Sequence, residues 1–331
     1  MINQSVSILG TGSYAPKEEI LNAEVARHCG VDAEWIERKT HIVSRRYAAP
    51  DEATSDLAAR AAQEALNDAG LTADQIDYLI VATSTPDSPQ PPTSYLVQNQ
   101  LDAWNAACLD INVVCSGFVY GLVLARSLIA THPGAKALVV AADVYSRILD
   151  RTDRKTAILF GDGAGAVVLA GSEQPGLFAF HLASRGDARG LIRVEAGGSR
   201  LPASHETVDD GAHFFKMDGR AVRDFVMDEV PPVLSALCSK AGVYPTEVDH
   251  FVPHQANGVM LSGVVELAGL THATTHRTVE EYGNMGAASV AFALDQANRT
   301  NAIADGDLVL LAGFGGGMAV GACLLRWGVP A

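Results

Sequence analysis

Two glycine-dense segments constrain this chain more than any other feature. LFGDGAGAVVLA at 159–170 and LAGFGGGMAVGACLL at 311–325 share one grammar, in which an apolar run passes a glycine-rich bend and continues as an alternating apolar strand. Glycine at that density allows sharp turns and lets another backbone come close. Each segment ends one half of the chain. Repetition of this kind predicts two similar α/β halves, 1–172 and 173–331, related by a pseudo-twofold axis. Two unrelated tight corners are the alternative.

The rest of the sequence alternates helical and continuous apolar patterns, the grammar of an α/β fold with a mainly parallel, buried sheet. Strands are expected at 6–9, 78–82, 109–114, 137–141, 248–252, 308–312 and 319–325, with a hairpin-like pair over 157–170. Helices are expected at 54–69, capped by Thr54 or Ser55 and ended by Gly70, and at 118–130, 258–267 and 287–298. A further helix over 217–237 is expected to break at Pro231 and Pro232. Residues 84–93 hold four prolines and read as an ordered, irregular loop. Gly10 and Gly12 begin a dinucleotide fingerprint, but Ala15 takes the third glycine position and Pro16 stands where a helix should open, so that motif is rejected.

A net charge of −14 argues against a broad nucleic-acid surface. The cysteines, Cys29, Cys108, Cys115, Cys238 and Cys323, are odd in number and lack CxxC spacing, which suggests neither a disulfide framework nor a zinc site and fits a reducing cytoplasm. The opening MINQSVSILG lacks the pattern of a secretory leader, and no uninterrupted apolar run approaches the ~18 residues of a membrane span.

Chemistry concentrates at three strand ends. In LDINVVCSGFVY, at 109–120, an apolar strand stops at Cys115 and hands over to a helix, whose N-terminal N–H groups favour a thiolate. Taken alone, the stretch favours a buried structural cysteine. His254 follows a strand in VPHQAN, and Asn284 sits in YGNMG; each also has a structural reading, as a satisfied core histidine and a turn residue. Ligands gather at the carboxyl ends of strands in α/β sheets, so the three could converge as a nucleophile and its partners. Trp35, Arg38, Lys39, Arg45 and Arg46 form a basic cluster that could grip a phosphorylated ligand or form a solvated face.

Taken together, CSGF around Cys115, FGDGAGAVVL at 160–169, KMDGRAV at 216–222, VPHQAN at 252–257, GN before a small-residue helix at 283–288 and GFGGG at 313–317 resemble the β-ketoacyl synthase III branch of the thiolase-fold condensing enzymes. The resemblance spans essentially the whole chain. It implies a five-layered αβαβα core and a Cys115–His254–Asn284 triad. Cys115 would carry the primer acyl group as a thioester, and His254 and Asn284 would donate to the enolate formed as a malonyl thioester loses CO₂. The backbone N–H groups of Cys115 and Gly316 would form the oxyanion hole. Trp35 would stack on the CoA adenine, Lys39 and Arg154 would contact its nucleotide or phosphates, and Asn257 would help position the pantetheine arm. The resemblance implies no metal or redox cofactor, only CoA thioesters as substrates.

Within the family, segments such as HQANGVML and HRTVEEYGN look most like the acetoacetyl-CoA synthase subgroup, which joins acetyl-CoA to malonyl-CoA. Three departures stand out. Lys39 replaces a common Arg, His41 a common Gly, and Met285 a small hydroxyl residue beside Asn284. The helix after HQAN carries no Lys or Arg, although an acidic carrier protein would need basic steering there. Malonyl-CoA is therefore the expected extender; Lys216, Arg220 and Arg223 could still form a smaller basic patch. The alternatives are a malonyl-carrier-dependent synthase, a non-condensing acyltransferase on the same fold, and a silent scaffold. The family resemblance further implies a homodimer, with the loop at Pro86–Pro92 reaching toward the partner.

Overall fold

A computed structural model describes residues 5–173 and 176–328. Residues 1–4, the start of the stretch read for a leader, lie outside the described residues. In chain order the elements are β1 (Ser5–Tyr14), β2 (Glu18–Leu21), α1 (Asn22–Cys29), α2 (Ala33–Thr40), β3 (Ser44–Tyr47), α3 (Thr54–Asp68), β4 (Tyr78–Ala82), α4 (Thr93–Leu101), β5 (Ala107–Ile111), α5 (Gly117–Thr131), β6 (Lys136–Val144) and β7 (Asp162–Ser172). Then follow β8 (Leu177–Ser184), β9 (Ile192–Arg193), α6 (His205–Asp209), β10 (Lys216–Met217), α7 (Gly219–Ala241), β11 (His250–Pro253), α8 (Gly258–Leu267), β12 (Thr274–Thr275), α9 (Val279–Tyr282), α10 (Ala288–Arg299), β13 (Leu308–Gly315) and β14 (Ala319–Arg326).

Two five-stranded sheets have the same topology. The first runs β1-β7-β6-β4-β5 and the second β8-β14-β13-β11-β12. In each, the first three strands are antiparallel and the last three parallel. Helices α5 and α10 lie between the sheets, α3 and α4 cover the outside of the first, and α7, with α8 packed beside it, covers the outside of the second. The result is an αβαβα stack of five layers. Small residues set the spacing: a Cβ on Gly12 would sit 2.2 Å from Ala61 O, and one on Gly10 2.4 Å from Ala69 N. These glycines, rejected above as a dinucleotide fingerprint, let α3 press directly onto β1.

Several expectations need correction. The hairpin-like pair over 157–170 is one strand, β7, whose antiparallel partners are β1 and β6. Only 311–325 contains a strand, a bend and a second strand, although β7 and β14 do occupy equivalent places. α7 continues through Pro231 and Pro232, because Val222, Val226, Val230, Leu234 and Leu237 bury one face against the second sheet and outweigh the lost backbone bonds. Neither Thr54 nor Ser55 caps α3. Thr54 Oγ1 donates to Thr85 O, and Ser55 N–H and Oγ donate to the Asp87 carboxylate. Val114–Thr131 is long and apolar enough to cross a membrane by length and composition, yet most of it is buried between the sheets.

Candidate active site

β5 stops at Ile111, three residues earlier than expected, and Asn112 Oδ1 accepts the Val114 N–H at 3.2 Å. Val114 takes φ +46°, an unusual state for a β-branched residue. Cys115 and Ser116 then make one tight turn before α5. This elbow is pressed against the glycines that end β13. A Cβ on Gly313 would lie 2.9 Å from Ser116 Cα, one on Gly315 3.0 Å from Cys115 Sγ, and one on Gly316 2.8 Å from Val114 Cγ1. The GFGGG bend is thus the floor under the cysteine.

Cys115 is a free thiol, 5 % exposed. Burial pushes it up to about 12; the N–H groups of Gly316 and Cys115 oppose the rise, and Asp143 adds to it. The thiolate expected at a helix N-terminus is therefore not the resting form, because desolvation outweighs the donors.

His254 follows β11, with its N–H donating to Ala312 O of β13 at 2.7 Å. Its ring packs edge-on against Phe314, 5.5 Å away. It is 1 % exposed, and burial pulls its pKa down to about 3, which keeps the imidazole neutral. The loop holding it is locked by buried Gln255, whose Nε2 donates to Pro253 O and His276 O while Oε1 accepts from the Thr278 and Val279 N–H groups.

Asn284 is held through backbone and side chain together. Its N–H donates to Leu159 O at 2.8 Å, its C=O accepts from Gly161 N–H at 3.0 Å, and its Oδ1 accepts from Gly286 N–H at 2.9 Å. With the amide oxygen occupied, the two Nδ2 hydrogens are the free end of the side chain.

Cys115, His254 and Asn284 all line one cavity of about 1290 Å³, together with Phe160 and Phe314. Trp35, Lys39, Arg154 and Asn257 line it as well, Lys39 and Arg154 being exposed. The cavity thus leads from an opening of mixed charge, where Lys39, Arg154 and Lys155 stand among Asp150, Asp153, Asp209 and Asp210, to a buried thiol, a neutral imidazole and an amide donor. Within it a nucleophile can hold an acyl group while uncharged donors meet a developing anion. Among the described residues, no cluster of three or more His, Cys, Asp or Glu could hold a metal.

Residues 109–186 match the family described as 3-oxoacyl-[acyl-carrier-protein] synthase III, and residues 238–327 match its C-terminal part. Acetoacetyl CoA synthase NphT7 of Streptomyces sp. strain CL190 is 50% identical over 97% of this chain and 98% of its own. The chain belongs to the 3-oxoacyl-[acyl-carrier-protein] synthase III family. The β-ketoacyl-[acyl-carrier-protein] synthase III of Caldanaerobacter subterraneus is 40% identical, covering 98% of both chains. The crystal structure of the Aquifex aeolicus 3-oxoacyl-[acyl-carrier-protein] synthase III superposes with a TM-score of 0.90 at 34% identity, covering 98% of this chain and 100% of that one. The priming β-ketosynthase of the R1128 polyketide pathway does so with 0.91 at 33% identity, covering 99% and 98%. The fold is thiolase-like, and the protein is an acyltransferase-type condensing enzyme.

Other residues of this synthase III chain fall differently from expectation. Of the basic cluster, Lys39 reaches the cavity, but Arg45 is completely buried. Arg45 donates to Asn22 Oδ1 and Ile158 O, and burial pulls it down to about 10. It is an internal strut, which a run of adjacent cations could not reveal. Asn257 caps α8, accepting from Val259 and Met260 N–H, and donates to Lys39 O. Met285 does not line the cavity. It is buried beside Ala288 and Phe292, where a Cβ on Gly163 would fall 2.3 Å from its sulfur. His41 ends α2 at φ +59°, a left-handed state that glycine adopts with least strain. Gln255 and Asp143 were missed; both are buried polar residues recognisable only by what they hold.

Proposed function

We propose that this enzyme makes acetoacetyl-CoA by decarboxylative condensation of malonyl-CoA with acetyl-CoA. The observation that carries this is the convergence of Cys115, neutral His254 and an Asn284 amide with its oxygen already occupied on one cavity. Cys115 sulfur attacks the primer thioester, forms the acyl–enzyme bond and releases CoA as its thiol. Malonyl-CoA then enters the same cavity and loses CO₂. The enolate oxygen accepts from Asn284 Nδ2–H and His254 Nε2–H, neither of which must lose or gain a proton. The enolate carbon attacks the acyl carbon on Cys115. The tetrahedral oxyanion accepts from the Cys115 and Gly316 N–H groups, and the thiolate leaves as the 3-oxoacyl thioester departs.

A CoA-borne extender is supported by the surface around the opening. α8 carries no Lys or Arg. Lys216 and Arg220 line the cavity, but Lys216 is bound to Glu195 at 2.6 Å, and Arg223 lies 3.5 Å from Asp224 and outside the cavity lining. That leaves little basic surface to steer an acidic carrier. Trp35, Lys39 and Arg154 lie where they could take the nucleotide end of CoA. A homodimer belongs to this reading, since β5 is an open sheet edge.

The test is product analysis by mass spectrometry with acetyl-CoA and either malonyl-CoA or malonyl carrier protein, with CO₂ measured alongside. Acetoacetyl-CoA and CO₂ from the first pair are expected. Strong preference for the carrier overturns the extender assignment, and acyl transfer without CO₂ release overturns condensation.

A further inference from the structure

The ends of the two central strands support the catalytic turns of the opposite halves. The end of β13 lies under the Cys115 elbow that opens α5. The end of β6 lies under the Asn284 turn that opens α10, and there it presents Asp143, a fully buried carboxylate with no salt-bridge partner among the described residues. Its Oδ1 accepts from Ser84 N–H at 2.8 Å and from the hydroxyls of Ser84, Thr83 and Thr85. Its Oδ2 accepts from Ala287 N–H at 2.8 Å.

The backbone N–H groups from 285 to 288 are the otherwise unpaired donors before and at the start of α10. Met285 N–H goes to Ser289 Oγ, Gly286 N–H to Asn284 Oδ1, and Ala288 N–H to Met285 O, all within the turn. Only Ala287 N–H leaves the turn, to Asp143. That bond therefore fixes where the Gly286 N–H points, and Gly286 N–H in turn holds the Asn284 amide. Gly286 is fitted to the carboxylate: it has φ +55°, and a Cβ there would stand 2.2 Å from Asp143 Oδ2.

We infer that Asp143 is a positioning residue for Asn284, serving malonyl decarboxylation and not acylation of Cys115, an assignment that rests on the condensing role proposed above. A buried carboxylate is costly unless its acceptors are filled, and here two backbone N–H groups and three hydroxyls fill them. Backbone N–H groups cannot reverse their polarity, whereas hydroxyls can accept as readily as donate. In Asp143→Asn the oxygen can keep Ala287 N–H and the amide nitrogen can face the hydroxyls, at the cost of setting that nitrogen against the Ser84 N–H. In Asp143→Ala both ties are lost.

The test compares two half-reactions on the full chain: transfer of radiolabelled acetyl from acetyl-CoA to Cys115, and CO₂ release from malonyl-CoA. Asp143→Ala is expected to slow CO₂ release by about 100-fold, the scale of a 1 Å misplacement, with acetyl labelling within about threefold of the parent. Asp143→Asn is expected to recover part of the loss, since it keeps the Ala287 N–H tie but not the Ser84 one. It also stands in for the alanine variant if that one does not fold, with a smaller but still selective fall. Iodoacetamide alkylation of Cys115 is expected to hold or quicken, since removing the carboxylate removes a charge that raises the thiol. Equal losses in both half-reactions, or no loss in CO₂ release while Asn284→Ala loses it, overturn the assignment alone. A parent enzyme that releases no CO₂, or an Asn284→Ala variant that releases it normally, overturns the condensing role and the assignment together.

Discussion

Gly315 lies directly behind Cys115: a Cβ built on it would stand 3.0 Å from both Cys115 Cβ and Sγ. Its φ of +147° is also outside the range an L side chain adopts readily. Gly315→Ala should therefore push the elbow and its sulfur into the cavity. We expect acetyl labelling of Cys115 to fall by about 100-fold, with a lower thermal midpoint by calorimetry. An unchanged labelling rate would show that the elbow does not depend on this contact.

The resting thiol sets a pH signature. Because burial holds Cys115 up at about 12, the thiolate fraction should grow about tenfold per pH unit across the neutral and mildly alkaline range. Alkylation of the free enzyme by iodoacetamide should rise without a plateau from pH 7 to 10. A plateau near neutrality would mean that a partner activates the thiol before substrate arrives.

His254 has the opposite consequence. Its folded pKa, about 3, lies below the value near 6.5 of an unfolded histidine. Between those values the unfolded chain binds a proton that the folded chain does not, so stability falls as pH drops from 6.5 toward 3. Urea midpoints measured at pH 7 and pH 5 should fall less for His254→Gln than for the parent. His276, also pulled down, to about 4, is common to both proteins. By the same reasoning, CO₂ release should show no histidine limb near pH 6.5.

At the cavity opening, Arg154→Ala should raise KM for acetyl-CoA about tenfold with kcat nearly unchanged, as expected for uniform binding of a remote phosphate. Initial-rate kinetics decide this. A fall in kcat with unchanged KM would place Arg154 in the chemistry.

Met285 packs away from the cavity, so Met285→Ser should leave the primer chain-length profile of the parent intact. It should cost roughly 2 kcal/mol or more in stability, because a buried side chain is lost from the Ala288–Phe292 cluster. A shift in primer preference would contradict its position against Gly163.

Much of this enzyme was legible from the sequence because the polar groups that meet in its cavity stand at breaks between elements marked by local chemistry. CSGF and VPHQAN each place a polar side chain just past a strand, and GFGGG shows a backbone that must come close to something; GN, expected at a strand end, instead follows α9 and sits in the turn before α10. Strand and helix periodicity placed 78–82 and 258–267 at their observed bounds. The errors came where tertiary packing overrode a local rule. α7 passes through two prolines because one apolar face is buried, and β5 ends before Val114 because the elbow must turn onto β13.

What the sequence alone determined was the family, the α/β architecture and the identity of the groups that meet, since these follow from residue types at fixed local spacings. Only the tertiary structure decided their chemical states. Burial from elements hundreds of residues away makes Cys115 a resting thiol and His254 a neutral ring. Long-range contacts turn Arg45 into a strut, send Met285 out of the cavity and place Asp143 under Asn284's turn. Desolvation and hydrogen-bond partners belong to the folded surroundings of a residue, and no local pattern carries them.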